Sequence, residues 1–203
     1  MQGDCMEFMR DKPNKFWDLA IVDPPYGIGR DVKQNKNDGK WRFKKYHYSE
    51  WDKSAPDKIY WDELFRVSKN QIVWGANHYI SKIPFDSSCW LVWDKINGGG
   101  DFADCELAWT SFKTAVRMFK YYFGAENNQR IHPTQKPVKL YEWILMNYAK
   151  PGDKILDTHG GSGSISIACH NLGFDLDWIE LDPDYYRDAV KRFENHKAQL
   201  RIF

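Results

Sequence analysis

Residues 155–164 read ILDTHGGSGS, an apolar run that stops at a carboxylate and continues into glycines and small hydroxylated residues. Glycines let backbone amides approach a ligand closely, and the N-terminus of a following helix favours a negative group. By itself the stretch also fits a plain strand-to-helix turn, and it lacks the GxGxxG spacing of a dinucleotide site. It predicts a strand followed by a helix, the repeating unit of α/β sheets.

A second acidic segment lies where a cofactor site would need one. Residues 178–182 read WIELD, and Glu180 ends the next predicted strand, roughly twenty residues after the Gly-rich turn. An acidic residue at that place typically holds the hydroxyls of a ribose. Asp182 is the alternative to Glu180 for this role. Together the two segments imply a cofactor that carries a nucleoside.

A third segment, residues 21–27, reads IVDPPYG and places a carboxylate, two prolines and an aromatic ring directly after an apolar strand. Asp and Pro are ordinary turn residues, so the segment alone also fits a turn after a buried strand. Its meaning depends on the rest of the chain.

Strand and helix patterns alternate along the sequence. Strands are predicted at 18–22, 71–75, 90–93, 106–110, 154–157 and 176–180, and helices at 59–67, 138–148, 164–172 and 184–199. This alternation predicts a mostly parallel sheet with helices on both faces and with ligands at the carboxyl ends of the strands. Residues 27–51 and 112–135 resist assignment and are predicted to be long loops, which in compact domains are usually functional.

Composition sets the outer limits. The chain has 203 residues, 42% of them hydrophobic, with ten Trp, which indicates one packed domain over residues 1–203. We expect a cytoplasmic protein without a membrane partner, because no apolar run reaches about 18 residues and the N-terminus lacks a signal-peptide pattern. The four Cys are scattered without a CxxC pair, so no metal is expected. The net charge of +1 leaves any basic surface to be local.

One such local surface is the basic segment, residues 30–48. It carries seven Lys or Arg against two Asp and interleaves them with four aromatic rings. Cations with stacking rings suit nucleic acid, although a solvated surface loop has the same composition. Its position directly after Tyr26 favours DNA. The candidate DNA-binding residues are Arg30, Lys40, Arg42, Lys44 and Lys45.

Taken together, these motifs resemble those of the DNA N6-adenine and N4-cytosine amino-methyltransferases. DPPY at 23–26 is similar to the family's catalytic motif, and 157–163 to its S-adenosylmethionine loop. The catalytic motif comes first, which is the permuted order of the family's β group. Gly3-Asp4 and HPTQKP at 132–137 fit the same family, and 61–79 and 90–95 resemble small solitary adenine methyltransferases of phages and prophages.

The resemblance implies a Rossmann-like fold of S-adenosylmethionine-dependent methyltransferases, with a mostly parallel seven-stranded sheet and a circularly permuted motif order. It also implies roles for the DPPY residues. The Asp23 carboxylate and the Pro24 carbonyl accept the two hydrogens of an adenine N6 amine, which localises the nitrogen lone pair. Pro25 stiffens the chain, and Tyr26 offers a face on which an extruded base stacks.

The cofactor in this reading is S-adenosyl-L-methionine, and no metal takes part. Its expected contacts are Asp4, Asp23, Thr134, Lys136, Asp157, Thr158, His159, Gly160, Gly161, Ser162, Gly163, Glu180 and Asp182. Thr134 and Lys136 suit the amino-acid end of that molecule. His159 departs from the family, which more often has an aromatic or apolar residue there.

Competing functions are separable on residues. A cytosine C5 methyltransferase needs a Pro-Cys nucleophile, and no Cys here follows a Pro. An N4-cytosine enzyme is the closest rival, but its usual signature begins with Ser, so Asp23 favours adenine. A DNA-binding module that has lost the cofactor is the rival from another class, and the intact motifs argue against it.

Three further expectations concern partners and the chain end. The partner is double-stranded DNA, whose target sequence cannot be read because no large recognition domain lies between Phe112 and His132. Dimerisation, common in the group, would supply further DNA surface. The strand-like residues 200–203 are expected to complete the sheet edge, since only Met1 and Gln2 precede Gly3-Asp4.

Overall fold

The computed structural model of the chain describes residues 1–28, 52–98, 103–122 and 130–199. The basic segment and residues 200–203 lie outside these ranges. The DNA contacts of the basic segment and the edge strand at the chain end therefore stay predictions.

The described residues form one seven-stranded sheet, as expected. Its strands are β1 (Trp17–Val22), β2 (Ser68–Trp74), β3 (Trp90–Asp94), β4 (Cys105–Thr110), β5 (Arg117–Lys120), β6 (Lys154–Asp157) and β7 (Asp175–Trp178). The spatial order is β5-β3-β4-β2-β1-β6-β7. Only β4 runs antiparallel to its neighbours β2 and β3, so the prediction of a mostly parallel sheet is confirmed.

Helices cover both faces of this sheet. They are α1 (Cys5–Arg10), α2 (Lys58–Val67), α3 (Val138–Tyr148), α4 (Ser164–Leu172) and α5 (Pro183–Ala198). Along β1 the side chains alternate: Leu19 and Ile21 join the core that contains α3 and α4, whereas Ala20 and Val22 join the core that contains α1 and α2. This is the period of two that a strand buried on both faces requires.

Helix boundaries follow local chemistry. The helix α3 begins directly after Pro137, and α4 ends at Gly173, whose φ of 75° is the left-handed conformation of a common helix stop. At α5 the Asp182 carboxylate accepts hydrogen bonds from the amides of Asp184 and Tyr185, and Pro183 occupies the first helical position. These signals are why the predicted helices match the observed ones closely.

Two elements were missed. The strand β5 lies inside 112–135, so the prediction of a loop throughout that stretch was wrong. Its four residues form a largely exposed edge strand and show no apolar alternation, which is the signal that sequence reasoning uses. The helix α1 has six residues and owes its start to Asp4, whose carboxylate accepts from the Met6 amide at 2.7 Å. Short elements held by tertiary contacts carry weak local signals.

The end of β7 also differs from the prediction of 176–180. The strand stops at Trp178, and Glu180 instead pairs with Gln2 through one parallel bridge. Gly3 donates to the Glu180 carbonyl at 2.9 Å, and Glu180 donates to the Met1 carbonyl at 3.0 Å. The N-terminal residues therefore lie beside the acidic segment.

Within the described ranges, no helix combines the length and apolar character needed to cross a membrane. The same residues contain no group of three or more His, Cys, Asp and Glu side chains arranged to hold a metal ion.

Candidate active site

A cavity of about 560 Å³ lies at the carboxyl ends of β1 and β6 and beside Glu180. Parallel strands end at one edge of the sheet, so segments distant in sequence meet there. The cavity is lined by Asp23 and Pro25, which follow β1, and by residues 158–162, which follow β6. The two motifs that the sequence singled out thus share one cavity.

Asp23 lies between an aromatic hydroxyl and a buried ammonium. The Tyr26 hydroxyl donates to Asp23 Oδ1 at 2.9 Å, and Lys136 Nζ donates to Asp23 Oδ2 in a close contact. The Asp23 side chain is 17% exposed, and its residue lines the cavity. Burial raises the pKa of Asp23 above its ordinary value, while Lys136 acts against that rise.

The ring of Tyr26 packs against Gly75, at a position that only glycine can occupy. Gly75, directly after β2, has a φ of 67°, and a Cβ built on it would overlap the Tyr26 ring. His78 stacks on the same ring with centroids 4.7 Å apart and planes 16° apart. The orientation of Tyr26 is therefore fixed by the turn that follows β2.

Pro24 is buried, and its carbonyl lies against another hydroxyl. Tyr79 Oη is 3.2 Å from the Pro24 carbonyl oxygen and donates to the Trp74 carbonyl at 2.8 Å. Tyr79 is 1% exposed, so this contact is part of the core. A carbonyl oxygen has two lone pairs, and the proposed bond from a target amine would use the other one.

The Gly-rich turn after β6 packs tightly against β7 and the acidic segment. A Cβ at Gly160 would overlap the indole of Trp178, so glycine is required there for the turn to pack against β7. Gly161 has a φ of 49°, and its amide donates to Glu180 Oε2 at 2.7 Å. The turn and the acidic segment are joined by this bond.

Glu180 and Asp182, the two ribose candidates, have different roles in the structure. The Glu180 carboxylate lines the cavity and accepts from the amides of Gly161 and Asp182, the latter at 2.8 Å. Asp182 caps α5 with its side chain and is absent from the cavity lining. The geometry favours Glu180, as the spacing did.

Buried titratable groups surround the cavity. Burial raises the pKa of Asp157 to about 8, although the His159 amide donates to its carboxylate at 3.0 Å. Burial lowers the pKa of His159 to about 4 and, with help from Lys136, that of His132 to about 3. Both imidazoles are therefore neutral near pH 7.

His159, which departs from the family pattern, has a clear local environment. Its Nδ1 lies 2.9 Å from Thr158 Oγ1, which in turn lies 2.8 Å from the Tyr60 hydroxyl. The rings of His159 and Tyr60 meet edge to face with centroids 5.3 Å apart. The imidazole takes the place of an aromatic side chain in this packing.

The expected site residues fall into three groups. The cavity lining contains Asp4, Asp23, Pro25, Thr134, Lys136, Thr158, His159, Gly160, Gly161, Ser162 and Glu180. The remaining described candidates lie next to the cavity without lining it: Pro24, Tyr26, Asp157, Gly163 and Asp182. The DNA-binding candidates Arg30, Lys40, Arg42, Lys44 and Lys45 lie outside the described residues. What each residue binds stays a prediction.

Several lining residues were missed from the sequence. They come from three places that no motif marks: the start of α1, residues 54–57 before α2, and aromatic side chains of α2, α3 and α5, namely Tyr60, Tyr141 and Tyr185. Tyr60 and Tyr185 had been assigned to helices, but a helical pattern does not reveal which apolar side chain borders a ligand cavity.

The donor set fits a nucleoside-bearing cation. Glu180 keeps lone pairs for hydroxyls after accepting two amide bonds, and the hydroxyls of Thr158 and Ser162, which line the cavity, are further polar groups. Asp4 and Glu180, which line the cavity, supply carboxylates that suit a positive group. The volume lies in the range of small-molecule sites.

Comparison with known proteins agrees with this geometry. The model of the N6/N4 family, described as DNA methylase, matches residues 84–191. The type II methyltransferase M.HpaI of Haemophilus parainfluenzae is 26% identical, over 88% of this chain and 68% of that protein. M.HinfI of Haemophilus influenzae, also a type II methyltransferase, is 25% identical over 97% of this chain and 68% of its own length.

A solved structure shows the same fold. The crystal structure of the M1.HpyAVI–SAM complex superimposes with a TM-score of 0.62 and covers 95% of this chain and 98% of its own. The two sequences are 24% identical.

Proposed function

The chain belongs to the N6/N4 DNA methylase family, and on that basis we propose that it transfers the methyl group of S-adenosyl-L-methionine to an exocyclic amine in DNA. We further propose that the amine is N6 of adenine and that the base is flipped out of the duplex before transfer.

One observation carries this proposal. Asp23 at the end of β1 and Glu180 beyond β7 line the same cavity as the Gly-rich turn after β6. The proposed acceptor for an amine and the proposed holder for a ribose thus line one small-molecule site. Transfer between two bound groups depends chiefly on such mutual placement.

The cofactor is assigned to the side of the cavity formed by the turn. Glu180 would bind the ribose hydroxyls, and the amides and hydroxyls of Thr158 and Ser162 would bind its polar groups. When bound, S-adenosylmethionine supplies an electrophilic methyl group on a sulfonium. M1.HpyAVI, whose structure contains this molecule, shares the fold, which supports the choice of cofactor.

The protein's own part in the reaction is to hold the amine. An exocyclic amine is a poor nucleophile because its lone pair is delocalised into the ring. Asp23 accepts a hydrogen bond from one N–H of the amine. As positive charge develops on the nitrogen, the carboxylate stabilises that charge electrostatically. The Pro24 carbonyl accepts a hydrogen bond from the other N–H of the amine. Pro24 and Pro25 have no backbone N–H themselves, so they add no competing donor.

Tyr26 is assigned to the base itself. His78 already stacks on one face of its ring. Its hydroxyl is bonded to Asp23, so a base that stacks on the opposite face has its amine next to the carboxylate. Stacking offsets part of the cost of flipping, which is a few kcal/mol.

DNA contact is assigned to the basic segment. Its flanks meet at the cavity, since the Gly27 amide donates to the buried Asp52 carboxylate at 2.8 Å and residues 54–57 line the cavity wall. Seven cations that follow Tyr26 would then lie close to the phosphates around the target base.

Adenine is preferred over cytosine because the motif begins with Asp. The test is to incubate the protein with duplex DNA and S-adenosylmethionine labelled in the methyl group, and then to digest the DNA to nucleosides. We expect label in N6-methyl-2′-deoxyadenosine. Label in N4-methylcytosine would replace the base assignment, and calorimetry without detectable cofactor binding would favour an inert DNA-binding module.

A further inference from the structure

Lys136 is a buried lysine whose ammonium lies between two carboxylates. It is 3% exposed, it donates to Asp23 Oδ2, and its Nζ is 3.1 Å from Glu106 Oε2. The other oxygen of Glu106, Oε1, is 2.7 Å from Lys95 Nζ. Four charges of alternating sign therefore run from the half-buried Lys95 to the cavity.

The four residues come from four separate parts of the fold. Asp23 follows β1, Lys95 follows β3, Glu106 lies in β4, and Lys136 precedes α3. Their charges sum to zero, so each buried charge has a partner of opposite sign. Burying a charge without a partner costs several kcal/mol, and a set of four such groups is retained only where all are paired.

The sequence suggested that Lys136 binds the amino-acid end of the cofactor. In the structure its Nζ donates to Asp23 and lies at ion-pair distance from Glu106. The principal partners of Lys136 are thus Asp23 and Glu106.

The electrostatics show why Asp23 needs such a partner. Burial raises the pKa of Asp23, and a protonated carboxyl is a poorer acceptor for an amine hydrogen. Burial lowers the pKa of Lys136, but Asp23 and Glu106 more than reverse this effect, so the ammonium persists. Lys136 and Lys95 also lower the pKa of Glu106 to about 2, against the effect of its burial.

We propose that Lys136 is a positioning residue that aims the Asp23 carboxylate and stabilises its ionised form, while Glu106, itself paired with Lys95, balances the charge of Lys136. This role rests on the proposed function, in which Asp23 receives the amine. Glu106 acts on Asp23 in the opposite sense to Lys136, since it shares the ammonium and adds a negative charge.

Other groups around Asp23 define the electrostatic background. Those that face it from packed elements are Lys136, Glu106, Tyr26, Tyr79, Asp157 and Tyr141. Lys136 is the sole cation in this set of described residues, so its removal has a larger effect than the loss of any one neutral hydroxyl.

The test uses two isosteric substitutions that predict shifts of opposite sign. Lys136→Met removes the cation and should move the acid limb of the kcat/KM pH profile to higher pH, by at least about one pH unit. Glu106→Gln leaves the ammonium to Asp23 alone and should move the same limb to lower pH. Lys139→Met, at an exposed α3 lysine paired with Glu142, is the matched control and should leave the limb in place.

A second readout does not depend on methyl transfer. Titration of ¹³C-labelled aspartate carboxyls by NMR, with the Asp23 signal identified by its loss in Asp23→Asn, should show the same two shifts in the cofactor-free protein. If the parent protein proves inactive on DNA, this titration still decides the role of Lys136, so failure of the two proposals can be told apart.

Shifts of the same sign in both variants, or none in either, would overturn the proposal. Should Lys136→Met not fold, the double variant Lys136→Met/Glu106→Gln removes both charges and leaves Asp23 without its cation. Its Asp23 signal should then titrate at higher pH than in Glu106→Gln alone, and equal titration of these two variants would also contradict the proposal.

Discussion

The two sides of the cavity hold their carboxylates by different means. Asp23 is held by side chains, the hydroxyl of Tyr26 and the ammonium of Lys136, which come from different parts of the chain. Glu180 is held by backbone amides of Gly161 and Asp182, which lie close to it in the fold. The first arrangement depends on particular charged side chains and the second on backbone conformation.

This difference predicts how each side responds to substitution. Substitution of one residue in the side-chain network around Asp23 should reduce methyl transfer without reducing cofactor binding. Substitution of Glu180, whose carboxylate is held by backbone amides, should reduce cofactor affinity and leave the rate of the chemical step unchanged. The following predictions test that separation.

The largest effect is expected for Asp23→Ala. Loss of the acceptor should lower the rate of methyl transfer about a thousandfold, because Asp23 is the lining carboxylate to which the Tyr26 hydroxyl and Lys136 are bonded. Cofactor affinity by calorimetry should stay within a factor of about three. Asp62→Ala, at an exposed carboxylate of α2, is the control and should behave as the parent.

If Asp23→Ala lost cofactor binding and methyl transfer in equal measure, the two sides would not be separable. That outcome would mean that Asp23 chiefly binds the cofactor.

Gly75→Ala should have the next largest effect. The added methyl group overlaps the Tyr26 ring and must displace it, together with the hydroxyl that is bonded to Asp23. A misplacement of roughly 1 Å costs about a hundredfold in rate. Gly98→Ala is the control, since a Cβ there meets no atom within 4 Å. Parent-like transfer in Gly75→Ala would show that Tyr26 need not be fixed.

On the cofactor side, Glu180→Ala should weaken S-adenosylmethionine binding by about ten- to a hundredfold, the worth of charge-assisted hydrogen bonds. At saturating cofactor kcat should return close to the parent value. Asp182→Asn is the control, because Asn also caps helices and Asp182 is not in the cavity lining. Equal losses in both variants would assign the ribose to Asp182 as well.

The smallest effect on the comparison concerns Asp157, which lies behind the Gly-rich turn. Its folded-state pKa of about 8 exceeds the ordinary value, so its protonated form stabilises the fold at low pH. That contribution is lost as the pH rises from about 4 through about 8. Asp157→Asn should therefore raise Tm by several degrees at pH 8 and have little effect at pH 4.

The measurement is the difference in Tm between parent and Asp157→Asn as a function of pH. The difference cancels the opposite slope of the buried His132 and His159, whose lowered pKa values favour the fold at higher pH. A difference that does not grow with pH would contradict the buried, protonated Asp157.

Much of this fold was predictable because its boundaries carry local chemistry. Helix ends are marked by Pro137, Gly173 and the Asp182 cap. The strand β6 has the bounds that were predicted for it, 154–157. The strand β5 was not predictable, because it is an exposed edge strand whose pairing with β3 alone defines it.

The candidate site was predictable in its motifs and not in its contacts. Asp23 and the Gly-rich turn were found because their residue types follow strands in a recognisable order. The bond between Lys136 and Asp23 was not foreseen, since nothing local to Lys136 indicates which distant carboxylate it meets. The spacing favoured Glu180 over Asp182, but it did not reveal that Asp182 caps α5 and is absent from the cavity lining.

The central claim is that the methyl donor and the amine acceptor meet in this one cavity. Isotope-edited NMR of the protein with S-adenosylmethionine labelled with ¹³C at the transferable methyl tests it most directly. The account predicts nuclear Overhauser contacts from that methyl to the ring protons of Pro25, which lines the cavity next to Asp23. A bound cofactor whose methyl contacts Leu181 and not Pro25 would contradict it.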